Sequence, residues 1–152
     1  MPAEVDRPAP DFSLRDQERN VVSLEDLKGR KSLIVFIPFA FTRVCQSELC
    51  AIRDRITDLE ARGANVVAIT CNTVHSNKRW SEDQGFGFPV LSDFWLHGAT
   101  AQAYGCFDDT FGYTKRYTYV LDESGVVREI VKSDELGQAR EFEAYLAALA
   151  RL

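Results

Sequence analysis

The sequence predicts a layered α/β domain built on a mixed β-sheet. Three observations carry that expectation. Apolar runs of strand length alternate with amphipathic helical segments, two later strands flank a tight turn, and the chain closes on a helix with one apolar face. Its 152 residues, 45% apolar and 27% charged, suit a single unit over residues 1–152.

The first 31 residues are polar and punctuated by Pro2, Pro8 and Pro10. Within them residues 12–14 and 21–22 can pair as a small hairpin, an N-terminal extension packed on the domain. Ser23 precedes a short helical turn over 24–27 that Gly29 ends. Residues 33–37 form an unbroken, mostly β-branched run, the pattern of a strand buried on both faces, and Pro38 ends it by removing a ladder donor. From Val44 the apolar positions Leu49, Ile52, Ile56 and Leu59 recur at helical spacing up to Gly63, predicting one helix of about five turns.

A second buried strand covers 66–70, and a polar amphipathic helix covers 73–84 before Gly85. A short strand at 88–91 and a short helix at 99–104 follow, the latter stopped by Gly105. Strands at 117–121 and 126–131 flank the turn Asp122-Glu123-Ser124-Gly125, and Phe142, Tyr145, Leu146 and Leu149 mark the buried face of the last helix. The chain contains no internal repeat or low-complexity segment.

Several functions are excluded at this level. The longest apolar run, 33–41, contains Pro38 and falls far short of the ~20 residues of a membrane span. The start, Met1 to Asp6, has neither a basic nor an apolar region of a secretory signal, so a cytoplasmic location is expected. A net charge of −5, from 18 basic and 23 acidic residues without a basic cluster, argues against nucleic acid as a partner. The four cysteines show no C-x-x-C pair, and with His75 and His97 they fit no zinc module, so no metal is expected. Gly85-Phe86-Gly87 lacks the third glycine of a dinucleotide loop.

The segment Pro38-Phe39-Ala40-Phe41-Thr42-Arg43-Val44-Cys45 stands between the central strand and the long helix. That places Cys45 in the first helical turn, where unpaired amides and the helix dipole favour an anion, and a thiolate is the reactive form of cysteine. Thr42 is positioned to cap the helix with its hydroxyl toward the sulfur or a substrate oxygen, and Pro38 to shape and cover the pocket. On these residues alone the commoner reading of Cys45 is a small buried apolar side chain.

The spacing of Pro38, Thr42 and Cys45 resembles the P-x-x-x-T-x-x-C signature of peroxiredoxins, the thioredoxin-fold peroxidases. The likeness continues through Asp11-Phe12-Ser13-Leu14, Gly85-Phe86-Gly87-Phe88-Pro89, Ser92-Asp93-Phe94-Trp95-Leu96-His97-Gly98, Ala101-Gln102-Ala103-Tyr104-Gly105, and Arg116 with Tyr119-Val120-Leu121-Asp122. These stretches look like the AhpE type. The resemblance implies a thioredoxin-like fold, a central mixed sheet flanked by helices, and a peroxidatic role for Cys45 without metal, haem or flavin. It assigns Thr42, the Cys45 amide and Arg116 to stabilising charge on the peroxide oxygens, and Glu48 to orienting the arginine. Arg43 is a second candidate cation. The expected substrates are hydrogen peroxide, organic hydroperoxides and peroxynitrite, and the expected assembly is a homodimer.

Cys50, five residues after Cys45, departs from AhpE-type proteins that lack a second cysteine there and resembles the resolving position of Q-type peroxiredoxins. Five residues of helix separate the two Cα atoms by about 7.5 Å along the axis and roughly 140° around it. A disulfide therefore requires the helix to unwind. A thioredoxin-like reductant suits that disulfide, whereas a low-molecular-weight thiol with a mycoredoxin-like partner suits resolution without Cys50. A peroxide-sensing thiol relay uses the same two residues. Cys71 reads as core, Cys106 stays open, and Phe94, Trp95 and His97 read as a hydrophobic loop at a pocket wall or subunit contact.

Overall fold

The computed structural model describes residues 2–152, so that Met1 lies outside the described residues. β1 (Ser13–Arg15) and β2 (Val21–Ser23) form a hairpin, followed by α1 (Leu24–Leu27). Asp26 accepts from the Ser23 amide at 2.8 Å, which closes the first turn of that helix. The alternating part comprises β3 (Lys31–Phe36), α2 (Arg43–Asp54), α3 (Ile56–Ala61), β4 (Ala64–Thr70), α4 (Val74–Gln84) and β5 (Val90–Ser92). Then come α5 (Ala99–Tyr104), β6 (Phe107–Asp108), β7 (Tyr113–Thr114), β8 (Arg116–Leu121), β9 (Val127–Ser133) and α6 (Phe142–Ala150).

The main sheet runs β2-β1-β5-β4-β3-β8-β9. Its centre is parallel, β3 with β4 and β4 with β5, while β8 pairs antiparallel with β3 and β9 with β8. Side chains of β3 and the residue after it alternate between two cores, which is why the run reads as continuously apolar. Leu33, Val35 and Ile37 pack with Leu49, Ile52, Trp80 and Leu149 on one face. Ile34 and Phe36 pack with Leu24, Tyr104 and Tyr119 on the other.

Three boundaries differ from expectation. The N-terminal hairpin does not merely pack on the domain: Arg15 pairs with Ser92, which makes β1 and β2 the outer strands of the main sheet. The single five-turn helix is two, broken at Arg55, whose φ of −120° and ψ of 26° leave the helical region. Arg55 turns its guanidinium over the Phe142 ring at 4.5 Å and pairs with Asp58 at 2.9 Å and with Glu143. Leu49, Ile52 and Leu59 still face one core across the break, so periodicity reported the buried face and not the continuity of the backbone. The strand expected at 88–91 starts at Val90, after Pro89, which has no N–H to give a ladder. Among the described residues no helix is long and apolar enough to cross a membrane.

Gly98 begins α5 at φ +71°, and a Cβ there would lie 2.1 Å from the Phe107 ring. Gly98→Ala should cost about 2–4 kcal/mol, from backbone strain plus the clash. Gly63→Ala, at the same φ of +71° with nothing within 4 Å, should cost only about 1–2 kcal/mol. Urea unfolding of the two variants checks this, and an equal or smaller loss at Gly98 contradicts it.

Candidate active site

The site lies where β3 gives way to α2. Pro38 is buried directly after the strand, and the backbone then turns sharply, with the Ala40 amide donating to Asn72 Oδ1 at 2.9 Å. Phe41 takes φ +64°, a left-handed conformation that costs a bulky residue on the order of 1–3 kcal/mol and needs support from its surroundings. Thr42 is extended, with φ −99° and ψ 151°, and precedes the first residue of α2. The first helical bond runs from the Gln46 amide to the Thr42 carbonyl at 2.8 Å, so the amides of Arg43, Val44 and Cys45 precede the ladder and have no intrahelical partner. Cys45 is fully buried in this turn.

Thr42 departs from the expected capping geometry. Its hydroxyl makes no cap bond and instead donates to the Phe39 carbonyl at 2.9 Å. That bond commits the hydroxyl hydrogen and leaves the oxygen lone pairs as acceptors.

One turn beyond Cys45, Glu48 lies on the same buried face and joins two arginines. Glu48 Oε1 accepts from Arg116 Nη1 at 2.6 Å and Arg140 Nη2 at 2.9 Å. Its Oε2 accepts from the Arg140 amide at 2.7 Å and Arg140 Nε at 2.8 Å. The three side chains are only 2%, 3% and 0% exposed, for Glu48, Arg116 and Arg140 in turn. Arg116 Nε also donates to the Leu136 carbonyl at 2.7 Å, and Arg140 Nη1 to Thr118 Oγ1 at 3.1 Å. Burial opposes ionisation of Glu48, but the hydrogen bonds and charge of Arg140, with the charge of Arg116, overcome it and hold the carboxyl below its usual range. Two guanidinium groups and one carboxylate leave a net +1 in the interior, and Arg140 is within electrostatic reach of Cys45.

Arg140 was absent from the sequence-based site. It sits just before α6 in a polar stretch with no periodicity to distinguish it. A signal did exist: Glu48 shares the helical face of Cys45, Leu49 and Ile52, and a carboxylate on a buried face demands cationic partners.

The other candidates separate cleanly. Cys50 is half-buried, and its thiol donates to Gln84 Oε1 at 3.6 Å. Burial pushes the Cys71 thiol up to about 12, with the Asp93 charge adding to it, and burial also raises Cys106, which lies at zero exposure. Cys106 is thus core rather than an accessible loop thiol, and all four cysteines are free. Arg43 is exposed, whereas Trp95 is 80% and Phe94 47% exposed on a loop whose His97 contacts the Gly112 carbonyl at 2.7 Å. Among the described residues no three His, Cys, Asp or Glu side chains gather as metal ligands. A groove of about 520 Å³ lined by Arg15, His75, Ser92 and Trp95 reaches neither Cys45 nor Arg116, whereas a cleft of about 160 Å³ opens beside Arg116, Lys115 and Leu136. Buried charge therefore locates this site better than cavity size does.

The sequence profile of the AhpC/TSA family matches residues 5–130. The chain belongs to that family. Alkyl hydroperoxide reductase E of Mycobacterium tuberculosis is 42% identical over 145 residues, covering 95% of this chain and 94% of that protein. The crystal structure of peroxidoxin BcpB from Mycobacterium tuberculosis superposes with a TM-score of 0.87 at 26% identity, covering 99% of this chain and 98% of the other. That of Enterococcus faecalis AhpC gives 0.88 at 24% identity, with 99% and 92% covered, and shares the fold. The chain is therefore a peroxiredoxin, a thiol-dependent peroxidase of thioredoxin-like fold, as the Pro38, Thr42 and Cys45 spacing implied. The peroxiredoxin fold brings Thr42, Cys45 and Glu48 onto one loop and helix, and carries Arg116 to Glu48 from the start of β8.

Two predictions follow from the buried charges and thiols. Glu48→Gln should lose on the order of 3 kcal/mol at pH 7, because two buried guanidinium groups lose their counter-charge. Because the folded-state value is depressed, the wild-type advantage is complete above the ordinary Glu value of about 4.3 and fades as pH falls through the folded value. Denaturant unfolding from pH 7 to pH 3 should show the gap narrowing on acidification, and a constant gap contradicts the assignment. Limiting iodoacetamide on the folded reduced protein at pH 8 should leave Cys71 and Cys106 unmodified, by peptide mass analysis. Labelling of either before Cys50 runs against this.

Proposed function

We propose that Cys45 reduces hydrogen peroxide and organic hydroperoxides, and also peroxynitrite, and that Cys50 resolves the product. The observation that carries this reading is the position of Cys45 in the first turn of α2, one turn before a carboxylate that fixes two buried guanidinium groups.

The Cys45 thiolate attacks the terminal peroxide oxygen, the S–O bond forms as the O–O bond breaks, and the sulfur becomes a sulfenic acid. An organic hydroperoxide loses alkoxide, which takes a proton from solvent and leaves as alcohol; hydrogen peroxide loses hydroxide, which leaves as water, and peroxynitrite loses nitrite. Thr42 Oγ1 accepts the peroxide hydrogen with the lone pairs that its bond to Phe39 leaves open. The Cys45 amide and Arg116 stabilise charge developing on the two oxygens, while Glu48 holds Arg116 in place. Pro38, buried beneath the loop, limits water around the thiolate.

In the second step the Cys50 thiolate attacks the sulfenic sulfur, forming a disulfide and releasing hydroxide, which is protonated to water. Both residues stand in the continuous helix α2, so its first turns must unwind for the sulfurs to meet. The missing Thr42 cap bond and the break at Arg55 shorten the helix that must yield. A thioredoxin-like protein then reduces the disulfide. A low-molecular-weight thiol with a mycoredoxin-like partner serves if Cys50 stays out of the reaction. Residues 1–152 act as one domain, as a cytoplasmic homodimer.

Rapid mixing with one equivalent of hydrogen peroxide, followed by peptide mass analysis, tests each role. Cys45→Ser should abolish the reaction. Cys50→Ser should oxidise at Cys45 within about 3-fold of the wild-type rate but accumulate sulfenic acid or a mixed disulfide instead of a Cys45–Cys50 bridge. Retained activity in Cys45→Ser refutes the nucleophile, and an unchanged product in Cys50→Ser removes the resolver.

A further inference from the structure

The strained segment from Pro38 to Thr42 is fastened by a side chain that lies outside both the motif and the arginine network. Asn72 Oδ1 accepts the Ala40 amide at 2.9 Å, across 32 residues of chain. Asn72 is itself fixed on two further sides: its amide donates to Thr70 Oγ1 at 3.1 Å, and its carbonyl accepts from Ser92 Oγ at 2.6 Å. Thr70 is paired in turn with the fully buried Asn77 at 2.8 Å, and Asn77 Nδ2 donates to the Leu91 carbonyl at 3.3 Å. The end of β4, the first turns of α4 and the end of β5 thus form a rigid polar post beneath the loop.

The loop needs such a post. Phe41 keeps φ +64° immediately after the residue that Asn72 holds, and Thr42 follows Phe41 directly. The neighbouring rings, Phe39 against Tyr113 at 5.0 Å and Phe41 against Trp80 at 6.2 Å, supply contact without direction. Besides the first helical bond, from the Gln46 amide to the Thr42 carbonyl, the bond from Ala40 to Asn72 is a directional restraint on the loop from outside it, and it is made by a side chain. If that acceptor is lost, the half-buried Ala40 amide loses its partner and Phe41 is free to relax toward negative φ. Thr42 Oγ1 and the Cys45 amide then move relative to each other.

We propose that Asn72 is a positioning residue for peroxide reduction, holding the Ala40 amide so that Thr42 and the first turn of α2 stay aligned for the bound peroxide. It acts through the backbone and touches no reacting atom. This inference rests on Cys45 being the nucleophile.

The test compares two reactions of Cys45 in each variant, oxidation by hydrogen peroxide and alkylation by iodoacetamide. Both need the thiolate, but only the first needs Thr42 and the amides aligned on a peroxide, so the ratio of the two rates cancels changes in thiolate population. Asn72→Ala should lower the ratio roughly 10- to 100-fold, the scale of a misplacement of about 1 Å. Asn72→Asp, which keeps an oxygen acceptor, should restore it to within about 3-fold of wild type. Ser92→Ala, which frees one side of the post and leaves the Asn72 side chain in place, should lower the ratio by a smaller factor. A ratio unchanged in Asn72→Ala, or one as low in Asn72→Asp as in Asn72→Ala, overturns the proposal. Cys45→Ser runs alongside: peroxide consumption persisting there refutes the nucleophile itself, whereas its loss together with an unchanged Asn72→Ala ratio refutes only the positioning role.

Discussion

The carboxylate of Glu48, gripped by Arg116 and Arg140, ties together three parts of the chain that are far apart in sequence. It joins α2 to the first residue of β8 and to the segment that leads into α6. Burying one carboxylate and two guanidinium groups costs heavily unless each finds partners, and the four bonds to Glu48 with those to Leu136 and Thr118 supply them. A net positive charge remains. Cys45 stands one helical turn away on the same buried face, where the first amides of α2 precede the helical ladder. The pairing that satisfies the interior therefore also sets a buried positive charge beside the residue proposed as nucleophile.

Around that centre the backbone is held under strain. Phe41 occupies a left-handed conformation between the buried Pro38 and the exposed Thr42, and the loop is pinned by the bond from Thr42 to Phe39 and by the bond from Ala40 to Asn72. Helix α2 has to open if Cys50 is to reach Cys45. Its break at Arg55 and its weak N-terminal cap make the twelve residues of α2 a short unit, less costly to unwind than the five-turn helix its periodicity describes.

The central strands, α4, the last hairpin and α6 were legible in sequence because each buries a face, and a buried face imposes a period. The break at Arg55 was not legible, since the apolar spacing runs through it and the partners Arg55 meets there, Phe142 and Glu143, are distant in sequence. The β6–β7 pair was missed because two-residue strands are too short to show alternation. In the site, the positions matching the motif were readable together with Arg116, but Arg140 was not, because it lies in an aperiodic polar stretch and is buried only through its partners. Asn72 escaped notice for a related reason: its bond to the Ala40 amide depends on the geometry of one oxygen, which composition and spacing do not encode.

In the proposed reaction a forked, fixed guanidinium at position 116, and not positive charge alone, acts on the peroxide. Arg116→Lys keeps the charge and loses the planar fork that bonds Glu48 and Leu136 together. The rate constant for Cys45 oxidation by hydrogen peroxide, measured by rapid mixing on this variant, separates the two. A fall of roughly 100-fold or more is expected, the scale of losing one oriented donor in a charge-stabilising site. A rate within about 3-fold of wild type would contradict it.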